Sequence, residues 1–214
     1  MAYPNGVYRS GSVGQHISTA DKAALDITGD IDIAVLVNPT TWTPAGDAAY
    51  VGKWLSGTNK RGFAFHQSTG GVLKFYWSTA GTATLGGTST TAVGFSNGTA
   101  GWVRTTLDVD NGSSGHSLRF YTAAASGFAY PSSWSQLGTT VASPGGAGTT
   151  SIFANDEPLM IGQAQTSAGP NQAGYYLRAV IRSGIDGTIV ADFDASLSST
   201  SGYTDAYGNS WAIS

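Results

Sequence analysis

Ala24-Leu25-Asp26-Ile27-Thr28-Gly29-Asp30-Ile31-Asp32-Ile33-Ala34-Val35-Leu36-Val37 decides how the rest of the chain is read. From Asp30 onward, Ile31, Ile33, Val35 and Val37 fall on one side of an extended backbone, with Asp30, Asp32, Ala34 and Leu36 on the other. Successive side chains of a strand point to opposite sides, so this period of two predicts a strand with one dry face. Gly29 breaks the chain before it. Asn38-Pro39 ends it, because proline brings no N–H to a ladder.

The same pattern recurs outward from this stretch. Leu73, Phe75 and Trp77 share a face opposed to Val72, Lys74 and Tyr76, and Val103, Thr105, Leu107 and Val109 oppose Trp102, Arg104, Thr106 and Asp108. Further strands are expected over residues 15–19, 50–55, 63–66, 117–121, 133–137, 159–162, 175–182 and 185–193, with a closing strand at 210–213. Residues 18–24 read as a polar turn or brief helical turn. Residues 81–91, almost wholly Gly, Thr, Ser and Ala, read as a short strand with loose loops. Asp110-Asn111-Gly112 is a tight reversal. No stretch carries the period of a three-turn amphipathic helix. Ser143-Pro144-Gly145-Gly146 reads as a loop, since strands of the same style continue past it.

Composition agrees with many short strands. The 214 residues include 30 glycines, about twice the usual share of roughly 7%. Charged residues are 11% and the net charge is −3, so nothing here suits a nucleic-acid backbone or an anionic membrane surface. With no cysteine there is neither disulfide nor thiolate chemistry. The opening Met-Ala-Tyr-Pro-Asn-Gly lacks a basic start and an apolar run, so no signal peptide is expected. These observations predict an all-β chain, a single antiparallel sandwich or jelly roll over residues 1–214. Residues 1–14 form an arm or first strand and 195–214 include a closing C-terminal strand.

Residues 24–30, Leu-x-Ile-Thr-Gly-Asp before a strand, resemble the opening of concanavalin A-like, laminin-G-type jelly-roll domains. So do Gly101-x-Val103 around Trp102, the Asp-Asn-Gly hairpin at 110–112 and the late strand at 174–183. The variant most similar is that of virion proteins of actinobacterial phages. The matching runs are Trp102 to Gly112, Trp134 to Gly138, Thr149 to Phe153, Gly184 to Ala191 and the ending from Thr204 to Trp211. The chain departs from the wider pattern at Ala179-Val180, where an Asp-Glu pair is common, and at Arg104-Thr105, where His-His often stands. The resemblance implies a non-enzymatic virion protein, assembled in the host cytoplasm as a capsid decoration or minor tail protein. Its partners would be other virion proteins, it would be oligomeric through particle symmetry, and it could aid adhesion to glycans. A free lectin-like carbohydrate-binding module is the alternative.

Glycan binding calls for flat aromatics beside amide or carboxylate groups. Trp42, Trp54, Asn59, Tyr76, Phe128 and Tyr130, at loops or on outward phases, are the candidates, with Gln67 near by. The resemblance further implies possible calcium, a hard cation taking about six to eight oxygens, and Asn155, Asp156 and Glu157 crowd three oxygen-bearing side chains into one turn. No other cofactor is expected. Asp30-x-Asp32 and Asp108-x-Asp110 alternate as the carboxylates of a glycoside hydrolase would, but without a Glu partner they are expected to be solvated strand-edge residues, and no catalytic set is expected. His16, His66 and His116 are isolated in sequence, and surface or turn roles are expected of them.

Overall fold

The computed structural model describes residues 6–12, 14–165, 172–198 and 202–214. Their strands, in chain order, are β1 (Val7–Arg9), β2 (Ile17–Thr19), β3 (Ile31–Pro39), β4 (Ala48–Leu55), β5 (Lys60–Gln67), β6 (Val72–Gly81), β7 (Leu85–Ala92) and β8 (Gly101–Asp108). They continue with β9 (Ser117–Ala124), β10 (Ser135–Gln136), β11 (Val141–Ala142), β12 (Leu159–Ile161), β13 (Gly174–Ser183), β14 (Thr188–Asp194), β15 (Gly202–Thr204) and β16 (Ser210–Ile213). They form two sheets. The first runs β1-β13-β3-β8-β9-β10, with β14 also on β13 and β11 also on β9; the second runs β15-β16-β2-β12-β4-β5-β6-β7. Every pairing is antiparallel.

The alternation explains the packing. Ile31, Ile33, Val35 and Val37 of β3, with Val103, Leu107, Phe120, Ala179 and Ile181 of the first sheet, meet Tyr50, Val51, Phe63, Phe65, Leu73, Phe75, Trp77 and Ile161 of the second in one buried cluster. This is the sandwich interior. Residues 23–25 of the predicted polar turn form a short 3-10 turn, and the low-complexity run becomes the full edge strand β7.

The expectation of one dry face on β3 is corrected. All nine residues from Ile31 to Pro39 are buried. On the outer side of the first sheet, Ala34 and Leu36 join Trp102, Leu177 and Val180 in a second buried cluster, covered by Phe128, Tyr130 and Trp134 from the loop that follows β9. This loop is a strap, and it dries the face that alternation assigned to solvent.

The expectation of a solvated Asp32 is corrected for the same reason. Asp32 is 1% exposed and takes a bidentate pair of hydrogen bonds from Arg104 Nε at 2.8 Å and Nη2 at 2.6 Å. Asp32 and Arg104 lie diagonally on adjacent strands two residues apart in register, and so on the same face, since Asp32 faces Thr106 and Ala34 faces Arg104. Trp134 and Tyr121 lie against the guanidinium, at 5.3 and 5.2 Å from their ring centres. His116 likewise is no surface residue: it is 3% exposed, with Nδ1 at 2.8 Å from the Gly148 carbonyl and its ring edge-on to Trp77.

Candidate functional site

The outer face of the second sheet is where half-buried aromatic and polar side chains converge. Cross-strand register puts Gly52, Ala64, Tyr76 and Gly86 in one row across β4, β5, β6 and β7, and Ala49, His66, Lys74 and Thr88 in the next. Trp54 stands opposite Arg61 in a third. Residues directly opposite on antiparallel strands share a face, so these three rows build one surface.

Small residues form its floor. Ala49, Ala64 and Ala164 are buried, although the first two belong to the outer face, because Trp54 and Tyr76 pack over them. Gly52 lets residue 164 lie directly on β4: a Cβ there would be 2.6 Å from the Ala164 Cα. Gly86 has an ordinary strand φ, so its glycine answers to space rather than to backbone conformation. A Cβ at Gly86 would sit 2.5 Å from Tyr76 Cδ1. The Trp54 and Tyr76 rings remain only partly buried, with centroids 6.5 Å apart and planes tilted by 44°.

Polar groups frame the rings at the far end. Asp47, just before β4, accepts from Ser68 Oγ, from Lys74 Nζ at 3.0 Å and from the Tyr76 hydroxyl at 3.2 Å. Burial works to raise the Asp47 carboxyl, but the hydrogen bonds from Ser68 and Lys74 outweigh it and hold the group below its ordinary value. His66 packs edge-on to Tyr76 with centroids 5.5 Å apart. Burial pushes its pKa down to about 4, against the pull of Asp47, so the imidazole is neutral at pH 7. Its Nδ1 is buried without a hydrogen-bond partner. Arg61 is drawn toward the sheet end by the carbonyls of Gly81 and Thr82, at 3.1 and 2.7 Å. Chemically the surface offers two aromatic faces, hydroxyl and ion-pair partners and a neutral imidazole. That set can stack on apolar ring faces and exchange hydrogen bonds with hydroxyls.

Of the residues expected to bind, Trp54 and Tyr76 are brought together here. Trp42 is corrected to a core residue: it is 1% exposed, its Nε1 donates to the Thr99 carbonyl at 3.1 Å and its ring packs on Phe95. Gln67 is also interior, accepting from the Tyr50 hydroxyl at 2.8 Å. Asn59 occupies the left-handed position of the β4–β5 turn at φ 59° and accepts from Arg61. Phe128 and Tyr130 belong to the strap on the other sheet, where Arg182 lies over the Tyr130 ring.

Asn155, Asp156 and Glu157 do share a turn, but lysines fill their reach. Lys60 Nζ lies 2.8 Å from Asp156 and 3.3 Å from Glu157. Lys53 is only 1% exposed, and its ammonium meets Asp21 and Asp26, each at 2.9 Å, together with the Asn155 carbonyl. Both ammonium groups therefore compete with a calcium ion for the oxygens of this turn. Among the described residues no group of three His, Asp or Glu side chains is placed to hold a metal ion.

Asp47, His66 and Lys74 were missed as site residues. Lys74 shares its face with Tyr76 by simple alternation, which is a usable signal. Asp47 and His66 join only through cross-strand register.

No protein-family model matches the sequence, and no curated protein matches it. Solved structures do match. A carbohydrate-binding module, CBM40, of the Ruminococcus gnavus IT-sialidase, bound to α2,3-sialyllactose, is 11% identical with a TM-score of 0.54, over 84% of this chain and 90% of that one. Domains LG4-5 of the mouse laminin α1 chain are 14% identical with a TM-score of 0.53, over 89% of this chain and 42% of that one. The heptameric SAP-like pentraxin of Limulus polyphemus is 11% identical with a TM-score of 0.51, over 84% and 74%. Likeness at this identity speaks to architecture alone: the chain folds as a concanavalin A-like, laminin-G-like jelly roll.

Proposed function

We propose that this chain is a glycan-binding jelly-roll module that acts by adhesion, and that it is displayed on a phage particle as a head decoration or minor tail protein. The observation that carries the binding half is the Trp54–Tyr76 pair, partly buried above an alanine floor beside Asp47, His66 and Lys74. Adhesion without catalysis is supported by the state of Asp47, whose carboxylate is engaged by Ser68, Lys74 and Tyr76. Glycoside hydrolysis ordinarily needs two carboxyl groups flanking the bond. Display on a particle is supported by the phage-type runs from Trp102 to Gly112 and from Gly184 to Ala191. Copies repeated by particle symmetry turn weak single-site binding into firm attachment.

The test is a glycan array probed with the purified chain and its variants. Trp54→Ala and Tyr76→Ala each weaken binding by about tenfold or more, a change of about 1.4 kcal/mol, with the circular dichroism spectrum unchanged. Tyr130→Ala leaves binding intact. Silence of the wild-type chain across the array overturns the glycan reading, sugar release from a bound glycan overturns adhesion without catalysis, and absence of the chain from purified particles by mass spectrometry overturns display.

A further inference from the structure

The two rings on the second sheet are separated and inclined in a way that restricts the form of the glycan. Their centroids lie 6.5 Å apart and their planes differ by 44°. One pyranose ring cannot lie flat on both at once. Nor can the face of a crystalline polysaccharide, whose exposed rings are coplanar. Two consecutive sugars of a single chain, each turned relative to the last, can.

The surface also has length. From Trp54 to Ala49 the β4 strand advances five residues, about 16 Å, which exceeds one pyranose ring several-fold. Along this length the chemistry changes from Trp54 beside Arg61, through Tyr76 over Ala64, to the Lys74–Asp47 pair beside His66. The apolar end at Trp54 thus gives way to a hydroxyl-seeking end at Tyr76, whose ring has the Lys74 ammonium over it at 5.3 Å and whose hydroxyl meets Asp47 at 3.2 Å.

Resting on the glycan-binding reading above, we infer that the platform takes a single twisted chain of equatorially linked pyranose rings, one ring on Trp54, the next at Tyr76 with its hydroxyl groups toward Lys74 and Asp47, and a third beyond them. Equatorial linkage keeps the chain extended and presents the axial C–H groups of each ring to an aromatic face. Gly86 is a positioning residue for this arrangement, because the Tyr76 edge fills the space its side chain would need.

The experiment is calorimetric titration of the wild-type chain with cello-oligosaccharides and chito-oligosaccharides of one to six units, beside sedimentation assays on microcrystalline cellulose and crystalline chitin. For at least one series, affinity climbs by about tenfold or more, about 1.4 kcal/mol, between one unit and three or four, then levels off, and neither crystalline solid retains the protein. Gly86→Ala, whose Cβ would meet the Tyr76 ring at 2.5 Å and the Phe75 carbonyl at 2.9 Å, flattens this length dependence while the circular dichroism spectrum and a cooperative melt are retained, a result that loss of folding could not produce. Equal affinity for one unit and six, or preferential retention on crystals, overturns the inference and leaves the glycan reading standing. Array binding with both series silent does the same. A silent array removes both.

Discussion

At the scale of single residues, two buried carboxylates do different work. Asp32 is 1% exposed and Arg104 4%, and burial that would discharge the guanidinium is outweighed by its hydrogen bonds to Asp32, so the arginine is held firmly protonated. Removing one member of such a pair strands the other charge in a dry site. Arg104→Ala is therefore expected to cost about 3–5 kcal/mol in urea unfolding, while the double change Asp32→Leu with Arg104→Met costs much less. Asp205 is a hub rather than half of a pair. Its Oδ1 accepts from the backbone of Tyr207 and Asn209 at 2.9 Å each, and its Oδ2 from the backbone of Asp192 at 3.0 Å and from Trp211 Nε1 at 3.1 Å. Burial raises its pKa, but the hydrogen bonds from Asn209, Asp192 and Trp211 lower it further, and the net position is below the ordinary carboxylate value of 3.8. A carboxyl depressed in the fold stabilises fully above its unfolded pKa, and that contribution disappears as pH falls through the folded one. The melting temperature of the wild-type chain is expected to drop below about pH 4. Asp205→Asn should melt lower at pH 7 and lose part of that acid-induced drop.

At the scale of elements, the strap after β9 shows how far alternation can be trusted. Ile31, Ile33, Val35 and Val37 announced the inner face of β3 correctly. Nothing local announced that Trp102, Leu36 and Ala34 would be covered, because the cover comes from residues 125–134, which have no period to read. Trp42 misled for the mirror-image reason: a loop residue can turn inward if a distant carbonyl meets its indole N–H, as that of Thr99 does at 3.1 Å. In the platform, alternation within β6 pairs Lys74 with Tyr76. Bringing His66 and Trp54 beside them depends on register, which shifts between Ala49 and Val51, between Lys53 and Trp54, and between Val72 and Lys74. One bulge flips every later side chain to the other face, so such a site cannot be assembled by counting. The strap makes its own prediction. Trp134 packs edge-on to Trp102 at 6.1 Å and to Tyr130 at 5.7 Å. Because it is only half-buried, Trp134→Ala should cost about 2–3 kcal/mol, below the full range for large aromatic truncations. Acrylamide quenching of the remaining tryptophans should rise as Trp102 becomes accessible, and glycan binding on the opposite sheet should be unchanged.

At the scale of the whole molecule, the order of strands ties early and late parts of the chain into the same sheets. β3 lies between β13 and β8, so the first sheet is complete only once residues 174–183 have arrived. β2, near the start of the chain, lies between β16 and β12 in the second, with Ile17 facing Ile161 on one side and Ile213 on the other. Neither sheet can be divided into an early half and a late half without exposing unpaired backbone N–H and C=O groups, which are costly to leave unmet in a dry interior. The full chain is therefore expected to unfold as one cooperative unit, with urea transitions followed by far-ultraviolet circular dichroism and by tryptophan fluorescence coinciding. Two separated transitions would show that the sheets, or the two ends, are independent. Deleting residues 207–214 sharpens the test. It removes β16 and with it Trp211, which is 3% exposed and packs edge-on to Phe193 at 5.5 Å, and it strips β2 of one neighbour. It also takes away Asn209, leaving the Asp205 carboxylate without most of its donors. Since stability in a domain of this size amounts to only about 5–15 kcal/mol, losing a buried tryptophan, a strand and a carboxylate hub together should abolish the cooperative transition. A truncated chain that still melted sharply would mean that β2 and β12 hold the second sheet by themselves.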